Sequence, residues 1–251
     1  MNDGLGDWRI AAATQLAQDI PAAYLGGPSH KAGAAVYQHT HVKVQNGDYL
    51  GFVIPSATAM ALNVAIKGSN KALELRGEIV FDDGVTPDGP GKSVSDHKLA
   101  SLYDFFEQCM IAVTFSFQAL ETFSNQQIGT KLQGKIRLRR RNETREYSSE
   151  EIERKFSTEE KLGTVLPLLL HIPTLQGTTI WNQFLVLKSF RDACVHLKTK
   201  DQYSAQTSED DLLFYKFLNA DITSMPTSAV NIIKYFFTNQ EEPRWLKAVK
   251  T

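Results

Sequence analysis

Apolar and polar positions keep a period of two through much of the first part of the chain and change to three-and-four spacing after about residue 92. From Ala34, the residues Val36, Gln38, Thr40, Val42 and Val44 alternate with Tyr37, His39, His41 and Lys43. Asn46-Gly47-Asp48 then leads into a second apolar run, residues 49–54. Two such runs joined by Asn-Gly predict a β-hairpin, because that dipeptide accepts the positive φ of a tight hairpin turn. Residues 71–81 alternate again and predict a further strand broken at Gly77, whereas residues 57–65 fit a strand or a short buried helix equally. Upstream, residues 7–17 predict a short helix: Asp7 is an N-cap candidate, and Trp8, Ala11, Ala12 and Leu16 fall on one side.

Residues 82–92 hold Gly84, Gly89 and Gly91 with Pro87 and Pro90, which predicts a linker and a domain boundary. Beyond it, Leu99, Leu102, Phe106, Cys109, Met110, Val113, Phe117, Leu120 and Phe123 predict one long helix, capped by Ser95 or Asp96 and ending near Gly129. Ser148 with Glu151, and Ser157 with Glu160, have capping-box spacing and predict two helix starts, the second running into residues 165–170. An apolar helix over residues 174–198 follows, then an acidic helix start at residues 208–211 continuing through Leu218, and a last helix over residues 227–237. The fold expected is mainly α: residues 1–92 a small mixed strand and helix region, residues 93–251 a helical bundle.

At 251 residues, 42% hydrophobic and 22% charged, the chain has the composition of a globular protein. A formal net charge of −1 removes any global positive field, so nucleic-acid binding would need a local patch. Residues 131–145 supply one in Lys131, Lys135, Arg137, Arg139, Arg140, Arg141 and Arg145. Cys109 and Cys194 lie in apolar helical patterns, as buried free thiols do, which fits a reducing, cytoplasmic setting. The first residues lack a signal-peptide pattern and no stretch reaches the roughly 18 apolar residues of a membrane span, so neither export nor membrane insertion is expected.

The helix over residues 174–198 carries the candidate chemistry. Asp192 and His196 are four apart and stack on one helix face; Arg191 lies about 100° round from Asp192. An imidazole titrating near neutrality can move the proton of a ribose 2′-OH, and a permanent cation can hold a phosphate whose charge grows at the transition state. A carboxylate can fix the imidazole tautomer. Lys198 extends the positive charge. This scheme needs no metal or cofactor.

The segment Arg191-Asp192-Ala-Cys-Val-His196 resembles the Arg-x4-6-His signature of the HEPN superfamily, with a polar residue directly after the arginine. The long helix over residues 99–125 is similar to that family's aromatic-rich first helix. The resemblance implies a helical bundle that dimerises through the signature helices, with two arginines and two histidines lining one cleft. In many members it also implies a metal-independent endoribonuclease of toxin, anti-phage defence or RNA-processing systems. On that expectation the protein is a homodimer acting on RNA, with room for a regulatory partner protein; Arg191, Asp192 and His196 are the catalytic trio, and Arg137, Arg139, Arg140, Arg141 and Lys198 contact RNA. A plain helix C-terminus also favours basic residues through the macrodipole, and a HEPN-like bundle that serves only as a binding or regulatory module is the alternative.

Other motifs carry less. His39 and His41 share a strand face, as in a metal-dependent hydrolase, but no third ligand stands at a telling spacing. Residues 87–93 end like a phosphate loop, yet Thr86 stands where its first glycine belongs. Phe105, Phe106, Phe115, Phe117 and Phe123 form a stripe that belongs to a core before it belongs to a base-stacking platform.

Overall fold

A computed structural model describes residues 5–22, 29–86, 89–140, 143–197 and 212–251. Among these residues the fold is mainly α with four two-stranded antiparallel ribbons. No helix among the described residues is long and apolar enough to cross a membrane. Two compact units are distinguished, Met1–Met60 with Glu241–Lys250, and Ala61–Gln240 with Thr251. This division falls inside a helix, not at the glycine and proline run that composition marks as a boundary.

In the first unit, β1 (Ala13–Gln15) pairs with β2 (Ala35–Tyr37), and β3 (His39–Lys43) with β4 (Tyr49–Val53). The β3–β4 hairpin turns at Gly47, whose φ of 92° suits glycine. Residues 7–17 are not a helix. The Asp7 carboxylate accepts from the Arg9 backbone N–H at 2.8 Å and its Nε at 2.9 Å, closing a single turn. The chain then extends, with Ile10 bridging to Pro55 and β1 taking a strand partner. A local cap was available, but pairing with a distant strand won over it.

The second unit begins on α1 (Ala57–Glu78), a 22-residue helix that replaces both the ambiguous segment 57–65 and the strand expected at 71–81. Ser56 caps it, its Oγ accepting from the Ala59 N–H at 3.2 Å. Its buried positions Leu62, Ala65, Ser69, Ala72 and Leu75, followed by Ile79 just past its end, keep three-and-four spacing, half of them residues too small to stand out as apolar. The described residues of the expected linker are paired, not open: β5 (Asp82–Thr86) pairs with β6 (Gly89–Ser93), Gly84 opposite Gly91.

The central element is α2 (Leu99–Lys131), entered through a 3-10 turn, Asp96–Lys98, with no side-chain cap from Ser95 or Asp96. Phe105, Cys109, Ala112, Val113, Phe117, Leu120 and Phe123 are all buried along it. The basic stretch becomes the hairpin β7 (Lys135–Arg140) and β8 (Glu143–Ser148). Both capping boxes form, Ser148 with Glu151 at the start of α3 (Ser149–Lys155), and Ser157 with Glu160 at the start of α4 (Thr158–Glu160). From α4 the chain passes through a π-helical turn, Lys161–Val165, into α5 (Leu166–Leu170). Then come α6 (Thr179–Val195), α7 (Leu213–Asn219) and α8 (Ser224–Tyr235); α9 (Arg244–Ala248) belongs to the first unit. The acidic start at 208–211 lies outside the described residues. The last expected helix starts a turn early, with Pro226 in its first turn, where a missing N–H costs nothing.

Candidate functional site at the end of helix α6

Helix α6 starts cleanly because the Thr178 hydroxyl accepts from the Trp181 N–H at 3.2 Å. Trp181, Phe184, Leu187 and Cys194 are buried along its inner side. At 100° per residue the opposite side is a single arc of about 120° holding Asn182, Leu185, Val186, Ser189, Asp192 and Ala193. Asn182, Leu185, Val186, Ser189 and His196 are exposed, and the Asp192 side chain is 43% exposed. The helix therefore has a core side and an unbroken outer side; Asp192 stands on the outer one, and exposed His196 follows directly after the helix.

Arg191 takes another direction. Its guanidinium carbon lies 4.0 Å from the centroid of the buried Phe117 ring on α2, and Nη1 pairs with Asp192 Oδ1 at 3.0 Å. Its side chain is 27% exposed, and its buried Nε has no hydrogen-bond partner among the described residues. The cation is thus held in a plane by an aromatic face on one side and a carboxylate at its end. Phe117 itself stacks on Phe184 of α6, centroids 6.1 Å apart, which couples the seat of Arg191 to the core. A pure core stripe had been the expectation for Phe117, and nothing in its spacing distinguishes it from Phe105 or Phe123.

His196 is not on the helix. It is the C-cap, with φ −118° and ψ 60°, and its backbone N–H makes the last helical bond, 2.9 Å to Asp192 O. The one-turn stacking of Asp192 under His196 expected from spacing is accordingly not formed: among the described residues the carboxylate pairs with Arg191, and the imidazole has no recorded partner. Two residues from Asp192, the Cys194 thiol is pushed up to about 12 by burial, which keeps it protonated and unreactive at neutral pH.

The basic hairpin is divided by its own pleat. Ile136, Leu138, Arg140, Arg145 and Tyr147 lie on the face turned to the core, with Leu138 and Tyr147 buried. Arg140, expected to contact RNA, is occupied: its Nε and Nη2 reach Glu160 at 2.8 and 3.3 Å, and its guanidinium carbon is 4.8 Å from the Phe156 ring centroid. Its side chain is only 19% exposed, so it ties the hairpin to α4. Arg145 lies 4.4 Å over Tyr147 and pairs with Glu151 at 3.5 Å. Lys135, Arg137 and Arg139 occupy the other, exposed face. Arg141 and Lys198 lie outside the described residues.

His39 and His41 share a face of β3, where His41 packs over Gly51 and His39 meets Tyr37 edge-on. Among the described residues no group of three or more His, Cys, Asp or Glu side chains stands close enough to hold a metal ion. No family model, no curated protein and no solved structure matches this chain.

Proposed function

We propose that the protein is a HEPN-like, metal-independent endoribonuclease acting as a homodimer through helix α6. The observation that carries this reading is the exposed outer side of α6, on which apolar Leu185 and Val186 lead to Asp192 and, just beyond the helix end, to exposed His196. A two-fold pairing along such a stripe brings two histidines and two aspartates to one groove, and Arg191, seated on Phe117, reaches its rim through the pair with Asp192. In each copy His196 takes the proton of a ribose 2′-OH, and the 2′-oxygen attacks the adjacent phosphorus. The P–O5′ bond breaks and the 5′-oxygen takes a proton back from a protonated His196, giving a 2′,3′-cyclic phosphate and a 5′-hydroxyl end. Arg191 neutralises the charge growing on the phosphate, and Asp192, paired with it at 3.0 Å, orients the guanidinium in place of the imidazole. Toxin and anti-phage defence effectors are the setting the reading fits.

The test is cleavage of end-labelled RNA in EDTA by the wild type, Arg191→Ala and His196→Ala, with product ends identified. Cyclic phosphate ends from the wild type alone support the reading; an inactive wild type, or equal cleavage by all three, overturns it. A second reading, a non-catalytic helical binding or regulatory protein, is favoured by the seating of Arg191 on Phe117, which makes the arginine a strut between helices. It requires that His196→Ala leave the biological activity intact.

A further inference from the structure

Of the five described cations in the β7–β8 hairpin, two are neutralised and three have no ion pair among the described residues. Glu160 is taken by Arg140 and by the Ser157 N–H, and Glu151 by Arg145, Lys155 and the Ser148 N–H. Two of the acids that follow the basic run in sequence, Glu151 and Glu160, are therefore spent on the core side of the hairpin and on helix caps. Lys135, Arg137 and Arg139 stand at alternate positions of one strand, exposed, with no ion pair recorded among the described residues. Opposite them in register are Ser148, Glu146 and Thr144, so that face holds three cations, two hydroxyls and one acid.

We infer that the outward face of this hairpin binds the phosphate backbone of single-stranded RNA, an inference that rests on RNA being the ligand of the α6 site. Alternate residues of a strand are about 7 Å apart, so the three cations form one straight row about 14 Å long. One row follows one polyanionic strand, whereas the two strands of a duplex need charge on both sides of a groove. The row is held straight from beneath by Leu138, Tyr147 and the Arg140 contacts to Glu160 and Phe156. Two of the three cations are arginines, whose planar fork meets two phosphate oxygens at once. No aromatic ring lies on this face, so it reads charge and not base identity. Glu146, opposite Arg137, limits the affinity.

The experiment measures binding of a fluorescent single-stranded oligoribonucleotide across a salt series, in a His196→Ala background, with cleavage by the wild type followed in parallel. Arg137→Ala with Arg139→Ala is expected to weaken binding and to lower the salt slope by about 1.4, two contacts at about 0.7 each. Glu146→Gln is expected to tighten binding, a gain that a purely structural hairpin does not give, and Lys234→Ala on α8 to change nothing. An unchanged affinity and slope in the double variant overturns the inference even if RNA is cut. Binding with the expected slope but no cleavage leaves it standing and sinks the nuclease reading. A poly-glutamate peptide bound as tightly as the RNA overturns it in favour of an acidic protein partner.

Discussion

The Arg191 guanidinium rests 4.0 Å above the Phe117 ring, so a residue of the candidate site is also a packing element between α6 and α2. Arg191→Ala is expected to destabilise the second unit by about 1 kcal/mol, the scale of a partly buried cation–π contact. Arg191→Lys is expected to keep the charge and lose the planar seat. Urea midpoints of the three proteins check this, and show whether any loss of RNA cleavage in Arg191→Ala exceeds a loss of fold.

Lys161, in the π-helical turn, is 1% exposed; its Nζ donates to Asn125 Oδ1 at 2.7 Å and to Glu153 O at 2.9 Å. Lys161→Ala removes both donors and opens a cavity, with an expected loss of about 3 kcal/mol. Burial pushes the ammonium below its ordinary 10.5. The unfolded chain therefore keeps this proton to higher pH than the folded one. Between the folded value and 10.5, unfolding takes up a proton, and stability from this group rises with pH. The difference in urea midpoint between wild type and Lys161→Met, followed upward from pH 8, is expected to show that rise; a flat difference contradicts it.

At Gly68, α1 packs directly against the backbone of α2. A Cβ there would meet Ile111 Cγ2 at 2.9 Å, and the Ala112 N and Gln108 O at 3.2 Å. Two of the three obstacles are backbone and cannot swing aside. Gly68→Ala, which on an exposed helix would stabilise, is expected to cost about 1–3 kcal/mol in thermal or urea unfolding.

Burial raises the thiols of Cys109 and Cys194 to about 12, with the neighbouring Cys194 adding to the effect on Cys109. Neither is expected to react with a thiol reagent at pH 8 in the folded protein, and both are expected to react in denaturant. Rapid labelling of Cys194 without denaturant would mean that the end of α6 opens.

Sequence patterns reached different depths in different places. The long helix α2, both capping boxes and the Asn46-Gly47 hairpin were legible because each is decided within a few residues, by apolar spacing or by one side chain bonding a nearby N–H. Helix α1 was hidden because Ala61, Ala65, Ser69 and Ala72 make its inner side small instead of greasy, while Leu73, Leu75 and Ile79 imitate a strand. The glycines and prolines of 82–92 mark a change of structure but do not reveal that Gly84 and Gly91 oppose each other in a ribbon. At the site, spacing placed Asp192 beneath His196, but helix α6 ends at Val195, and the carboxylate is paired with its own neighbour. The fate of Arg140 depended on Glu160, twenty residues away, which no local pattern records.

The Arg244 side chain of α9 donates to Gly6 O at 2.7 Å and to Asp7 O at 2.8 Å, so the first unit is closed by residues that follow Gln240. A ribosome therefore delivers the opening strands of this unit first and its closing helix only after all of residues 61–240. Throughout that interval the early strands wait for the helix that closes their unit.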